Sequence, residues 1–123
     1  MGLHHESLDY RGSSAELDAG LHARATTLIG ASYRDTAYTP SVLAARLDVT
    51  IRQLQRAFEK AGTTAAAEIR TLRTRYAAGL LRERSTPTMS LADVAAAAGF
   101  ATTGELRRAI RSAYDLTPTQ LRG

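Results

Sequence analysis

The chain has 123 residues, 44% of them hydrophobic and 23% charged, with no Cys and a formal net charge of +4. That length points to a single domain with a core that holds without staples, and the composition is that of a soluble globular protein rather than a disordered one. The lack of Cys excludes a disulfide framework, thiolate zinc sites and cysteine nucleophiles. No apolar run approaches the roughly 18 residues of a membrane span, and Met1–Tyr10 carries His and acidic residues with no apolar run after it, so no signal peptide is expected. A cytoplasmic protein with no membrane partner is the expectation.

Charge is unevenly spread. Residues 1–38 hold three Arg against five acids, whereas residues 39–123 hold thirteen basic side chains against seven acidic ones, leaving −2 and +6. The basic stretch points to a polyanionic partner. Fifteen Arg to one Lys, with abundant Ala, also fits a biased genomic base composition. Placement of the arginines therefore has to decide.

The fold class read from periodicity is all-α, with about seven helices and no alternating β-branched run of strand length. Residues 1–12 show no period and are expected to be a flexible segment ahead of a domain over 13–123. From Ala15, the positions Leu17, Leu21, Ala25, Leu28 and Ile29 form one helical stripe. Thr39-Pro40 starts a short helix with Leu43, Ala44 and Leu47 inward, ended by a tight turn at Asp48-Val49. Thr50 caps the next helix, with Gln53 completing a capping box; Ile51, Leu54 and Phe58 face the core and Arg52, Gln53, Gln55, Arg56 and Lys60 face outward. These elements make up residues 13–62.

Gly62 stops that helix, and a linker helix is predicted over 63–84, helical from Thr64 to Arg84, with Ala65, Ile69, Leu72, Tyr76 and Leu80 as its buried stripe. Its 21 residues span about 31 Å. The remainder, 85–123, opens with a Pro87-containing loop over Ser85–Met89. Ser90 with Asp93 caps a short helix burying Leu91, Val94 and Ala95; Gly99-Phe100 turns; Thr102 with Glu105 caps a helix burying Leu106, Ile110 and Ala113; Thr117-Pro118 opens a terminal turn.

An internal repeat runs through these elements: short helix, tight turn, second helix with a polar outer face, once on each side of the linker. Leu54-Gln55-Arg56-Ala57-Phe58 aligns with Leu106-Arg107-Arg108-Ala109-Ile110, and Leu43-Ala44 with Val94-Ala95, one residue further away because the second turn is longer. This is the helix-turn-helix arrangement. Arg pairs bidentately with guanine and Gln with adenine in the major groove, and two readers on one side of B-DNA must sit about 34 Å apart. The linker is of that order of length.

On Leu54–Phe58, Arg73–Leu81, the stretch from Val94-Ala95 to Gly99-Phe100, and Thr117-Pro118 followed by Leu121-Arg122, the chain resembles the DNA-binding domain of AraC/XylS-type transcription regulators. The resemblance spans roughly Leu17 to Arg122. It implies seven helices, two helix-turn-helix units, and recognition of double-stranded promoter DNA with contact to RNA polymerase. Leu106 and Ile110 replace the family's usual aromatics, Asp115 stands where Gly is common, and Gly104 occupies a frequent reading position. The usual effector domain is not part of this sequence, which fits either a single-domain regulator or a carboxy-terminal fragment. Dimerisation is then expected only through an upstream domain or the first helix.

The expected DNA contacts are Thr50, Arg52, Gln53, Gln55 and Arg56 in the first unit and Thr103, Glu105, Arg107, Arg108 and Arg111 in the second. Glu105 doubles as a capping partner of Thr102, and the linker arginines Arg70, Arg73, Arg75, Arg82 and Arg84 divide between phosphate contacts and a solvated face. His4, His5 and His22 lack an acid or His at i+4, so no metal is expected, nor any cofactor or small-molecule site. No P-loop, Gly-x-Ser-x-Gly or paired carboxylates suggests an enzyme. The rival reading is an interaction module that keeps the fold without binding DNA; such an adaptor would have lost Arg52, Gln55, Arg56, Arg107 and Arg108, all of which are present.

Overall fold

A computed structural model describes residues 2–83 and 89–123, with side chains from residue 14 onward. Among the described residues the fold is all-helical: α1 (Gly2–Ser32), α2 (Pro40–Arg46), α3 (Ile51–Lys60), α4 (Ala65–Arg82), α5 (Leu91–Ala98), α6 (Thr103–Tyr114) and α7 (Pro118–Arg122). Arg84 and the expected Pro87 loop lie outside the described residues, Met89 excepted.

Six helices start at a hydroxyl. The side chains of Thr39, Thr50, Thr64, Ser90, Thr102 and Thr117 each accept from the backbone N–H three residues on, at 3.0–3.3 Å. Each bond satisfies a donor that the first turn of a helix leaves unpaired. Gln53 and Gln120 return the bond to the N–H of Thr50 and Thr117, both at 2.8 Å, closing two capping boxes.

The chain builds two cores that share α4. Ala25, Ile29, Tyr38, Leu43, Leu54 and Phe58 are buried with Ala65 and Ile69 of α4. Val94, Ala98, Phe100, Leu106, Ile110 and Leu121 are buried with Ala77, Ala78 and Leu81 from the other end of the same helix. The predicted stripe of α4 is corrected accordingly: Leu72, Tyr76 and Leu80 are only half-buried, because the buried face turns about the helix to serve a different core at each end. The helix also leaves helical geometry at Glu83 and has 18 residues, about 27 Å, rather than the expected 21. Its polar end, Arg82-Glu83-Arg84, holds no stop signal that sequence could show.

Other expectations are corrected as well. The helix expected from Ala15 begins at Gly2, since intrahelical bonds are local and need no apolar stripe to continue. Leu17 is 71% exposed, and Asp18 takes its place in the buried stripe Asp18, Leu21, Ala25, Ile29. Ile51 at the first turn of α3 is 38% exposed, and Ala57 takes the inward position beside Leu54 and Phe58. Ala113 is exposed, with Ala109 buried one turn earlier.

Two arginines, Arg73 and Arg34, join the two halves. The guanidinium of Arg73, midway along α4, donates from Nε to the Tyr33 carbonyl at 2.6 Å and from Nη2 to the carbonyls of Asp35 and Tyr38 at 2.9 and 3.0 Å. Burial draws its pKa down, against the opposing charges of Glu105 and Asp35. Arg34 crosses to the second half, donating from Nε to Ala97 O at 3.0 Å and lying 4.1 Å over the Tyr76 ring. Gly99 fits beneath this joint with φ 98°; a Cβ there would stand 2.7 Å from Tyr33 O and 2.8 Å from Arg73 Nε.

Arg73→Lys keeps the charge and loses the fork, leaving backbone carbonyls without donors, and should destabilise by about 1–3 kcal/mol in urea unfolding. Gly99→Ala adds left-handed strain of about 1–3 kcal/mol to its clash. In the first core, Phe58→Ala should cost about 3–5 kcal/mol, whereas Arg52→Ala on the exposed face of the same helix should stay within about 0.5 kcal/mol of wild type. The reverse order in thermal melts would mean that the faces of α3 are inverted.

Candidate nucleic-acid interface

Both repeat units use one turn. After α2, the N–H groups of Asp48 and Val49 bond to the carbonyls of Ala45 and Ala44; after α5, those of Gly99 and Phe100 bond to Ala96 and Ala95. Asp48 and Gly99, the equivalent residues, are both left-handed, at φ 56° and 98°. The second unit then carries one extra residue, Ala101, before its cap. That residue changes the chemistry of the helix start. In the first unit Gln53 bonds back to the cap residue, Thr50, but in the second the Glu105 carboxylate reaches past Thr102 and takes the Ala101 N–H at 3.0 Å.

At about 100° per residue, burial of Leu54, Ala57 and Phe58 turns Arg52 and Arg56 outward on α3, with Gln55 on one flank and Gln53 and Lys60 on the other. All five are exposed, as is the capping Thr50. Gln53 has committed its amide oxygen to the cap. On the Gln53 flank α1 packs against α3, and the buried Asp18 carboxylate meets Lys60 Nζ at 2.9 Å and Arg56 Nε at 3.8 Å. Lys60 first, then Arg56, hold the Asp18 carboxyl below its ordinary pKa despite the opposing cost of burial.

On α6 the outer face is Arg107, Arg108 and Arg111, all exposed, while Thr103 and Gly104 are half-buried. Arg108 Nη1 lies 3.4 Å from the position of a Cβ on Gly104, so the arginine fills space that a side chain at 104 would otherwise take. Arg111 bends toward its own helix end, 3.3 Å from Asp115 O. Asp115 is left-handed at φ 57°, the conformation for which Gly is common at a helix end and which Asp is among the few other residues to tolerate. The three arginines line a groove of about 560 Å³ with Thr117, Pro118 and Thr119 at the start of α7.

A second groove of about 450 Å³ runs between α4 and α6, bringing Arg70 beside Arg108 and Glu105. Among the linker arginines, Arg73 is consumed by the joint and Arg82 stacks 5.0 Å over Tyr114. Arg70 and Arg75 remain exposed. The structure thus brings the predicted residues together as two separate clusters, one on each repeat. Sequence reasoning missed Asp18 and the pairing of Lys60 with it. The signal was present in the i, i+3, i+7, i+11 spacing of Asp18 with Leu21, Ala25 and Ile29.

Residues 43–123, covering both repeats and the linker, match the family model described as a helix-turn-helix domain. The chain belongs to the AraC-type helix-turn-helix family. This AraC-type domain is similar in structure to the C-terminal domain of the two-component response regulator yesN from Fusobacterium nucleatum, with TM-score 0.76 and 25% identity over 85% of this chain and 100% of that one. A probable AraC family transcriptional regulator from Rhodopseudomonas palustris gives 0.75 and 23% over 85% and 95%. The C-terminal domain of AraT, a response regulator from Geobacillus stearothermophilus, gives 0.74 and 23% over 83% of each chain. No curated protein matches. The AraC-type domain is a DNA-binding module of transcription regulation, not an enzyme class. No helix among the described residues is long and apolar enough to cross a membrane.

Because the folded pKa of Asp18 is depressed, its ion pairs contribute stability that is full above the unfolded carboxylate pKa of about 3.9 and is lost as pH falls through the lower folded value. Asp18→Asn should therefore unfold at lower urea than wild type at about pH 7, with the gap narrowing as pH falls below the unfolded carboxylate value of about 3.9. An unchanged gap across that range would mean that the carboxylate does not titrate with folding.

Proposed function

We propose that the chain is a cytoplasmic, sequence-specific regulator that binds double-stranded promoter DNA with α3 and α6 in successive major grooves, and that it contacts RNA polymerase when bound. The observation that carries this reading is the duplicated unit with its outward cations: Arg52, Gln55 and Arg56 on one helix, Arg107, Arg108 and Arg111 on its counterpart. A linker of about 27 Å, with the packing around it, is consistent with grooves one turn apart at about 34 Å.

The two units divide the work. Arg52, Gln55 and Arg56 read base edges, supported by Thr50 and by the amide nitrogen of Gln53. The second unit grips mainly phosphate through Arg107, Arg108 and Arg111: Gly104 offers no side chain, Glu105 is bonded to Ala101, and Thr103 is half-buried. Arg70, beside Arg108 in the groove between α4 and α6, extends the phosphate-binding cluster.

Binding should weaken steeply with salt, each neutralised phosphate contributing about −0.9 to the slope of log K against log salt. Arg56→Ala should lose about 1–3 kcal/mol on the preferred site and relax one or two base pairs, whereas Arg111→Ala should weaken all sequences alike. Selection from a randomised duplex library, followed by sequencing, measures both. Two half-sites of equal information would overturn the division of labour, and salt-indifferent binding would overturn the function itself.

A further inference from the structure

We infer that Asp18 of α1 is a positioning residue for base reading, fixing the Arg56 guanidinium so that it meets DNA end-on through Nη1 and Nη2. This rests on the proposed role of Arg56 as a base reader. The carboxylate is buried, with only 6% of the residue exposed, so it cannot itself approach a duplex. Its two cations are exposed where it is not: the Asp18 side chain is 8% exposed, while those of Lys60 and Arg56 are 53% and 54% exposed. The charge that organises this part of α3 therefore sits beneath the surface and belongs to another helix.

The geometry gives each cation a separate part. Lys60 Nζ at 2.9 Å is the close partner that keeps the carboxylate ionised and in place. Arg56 approaches with Nε at 3.8 Å, an ion pair rather than a hydrogen bond. A guanidinium presents either its Nε–Nη2 edge or its Nη1–Nη2 end to a planar pair of acceptors. With Nε drawn toward α1, the outer end is the part left for guanine O6 and N7. Gln53, lining the same cleft as Asp18 and Arg56, is held by its capping bond and so limits the space on that side. The alternative role for Asp18 is simple charge offset, which would lower affinity for every sequence equally and set no preference.

The test uses the full chain and the duplex selected from a randomised library, together with its single-base-pair variants. Arg56→Lys, measured first, identifies the base pair that Arg56 reads. Asp18→Asn should then reduce discrimination at that pair by about five- to tenfold, the lower part of the range for a bidentate arginine contact. In the Arg56→Lys background the same change should have no further effect on preference. Equal tightening on all duplexes with preference intact, or an independent effect in the Arg56→Lys background, would overturn the inference in favour of charge offset. If Arg56→Lys alters no preference, the base-reading role of Arg56 fails at that first step, and the role of Asp18 falls with it. A wild-type measurement covers a variant that fails to fold: in nitrogen-detected NMR, the Arg56 Nη resonances should move on adding the selected duplex while Nε stays near its free position. An Nε shift as large as the Nη shift would overturn the inference.

Discussion

A single guanidinium holding three carbonyls of one short segment sets the relation between the two halves of this protein. In the segment between α1 and α2 the Asp35 carbonyl accepts the Tyr38 N–H, whereas the part-buried carbonyls of Tyr33 and Tyr38 are met by Arg73, which also adds a second donor to Asp35. Buried polar backbone without partners is costly, so the segment and the middle of α4 must be placed together. The second half is then tied on by Arg34, which bonds Ala97 and stacks on Tyr76. Two small cores that share a helix could twist relative to each other about it. The joint opposes that twist, and with it any change in the spacing of α3 and α6.

The repeats share a backbone turn and diverge in one residue. Ala101 adds an N–H that needs an acceptor, and Glu105 provides it. Its counterpart Gln53 caps Thr50 and keeps an amide NH2 free. The difference in polarity between a neutral amide facing α1 and a carboxylate tied to a turn follows from that insertion. It is accompanied by Gly104 opposite Arg52, with Arg108 lying across the gap. The second unit is left with an almost purely cationic outer face.

The parts of this structure legible in the sequence are those decided within a few residues. Thr50-Gln53, Ser90-Asp93 and Thr102-Glu105 announce helix starts because the donor and acceptor are three residues apart. The alignment of Leu54–Phe58 with Leu106–Ile110 exposes the duplication for the same reason. What stayed hidden depends on distant partners. Asp18 reads as a solvated acid until Lys60 and Arg56 are known to lie across it, 42 and 38 positions along the chain. Arg73 reads as one more basic residue on a basic helix, although its acceptors are 35 to 40 residues away. Leu17 and Ile51 look like core because they are apolar, yet each lies at the rim of its stripe, where rotation of a few tens of degrees decides exposure.

The left-handed turns carry a consequence for how such a duplication can diverge. Asp48 is exposed, and an αL Asp is tolerable there. Gly99 occupies the same turn beneath Tyr33 O and Arg73 Nε, where even a methyl group has no room. The first turn can therefore accept Asp, Asn or Gly, while the second admits Gly alone. A chain with its two units exchanged would bring Asp48 under the Arg73 joint and fail to close, so the order of the halves is written into the backbone independently of which DNA either of them meets.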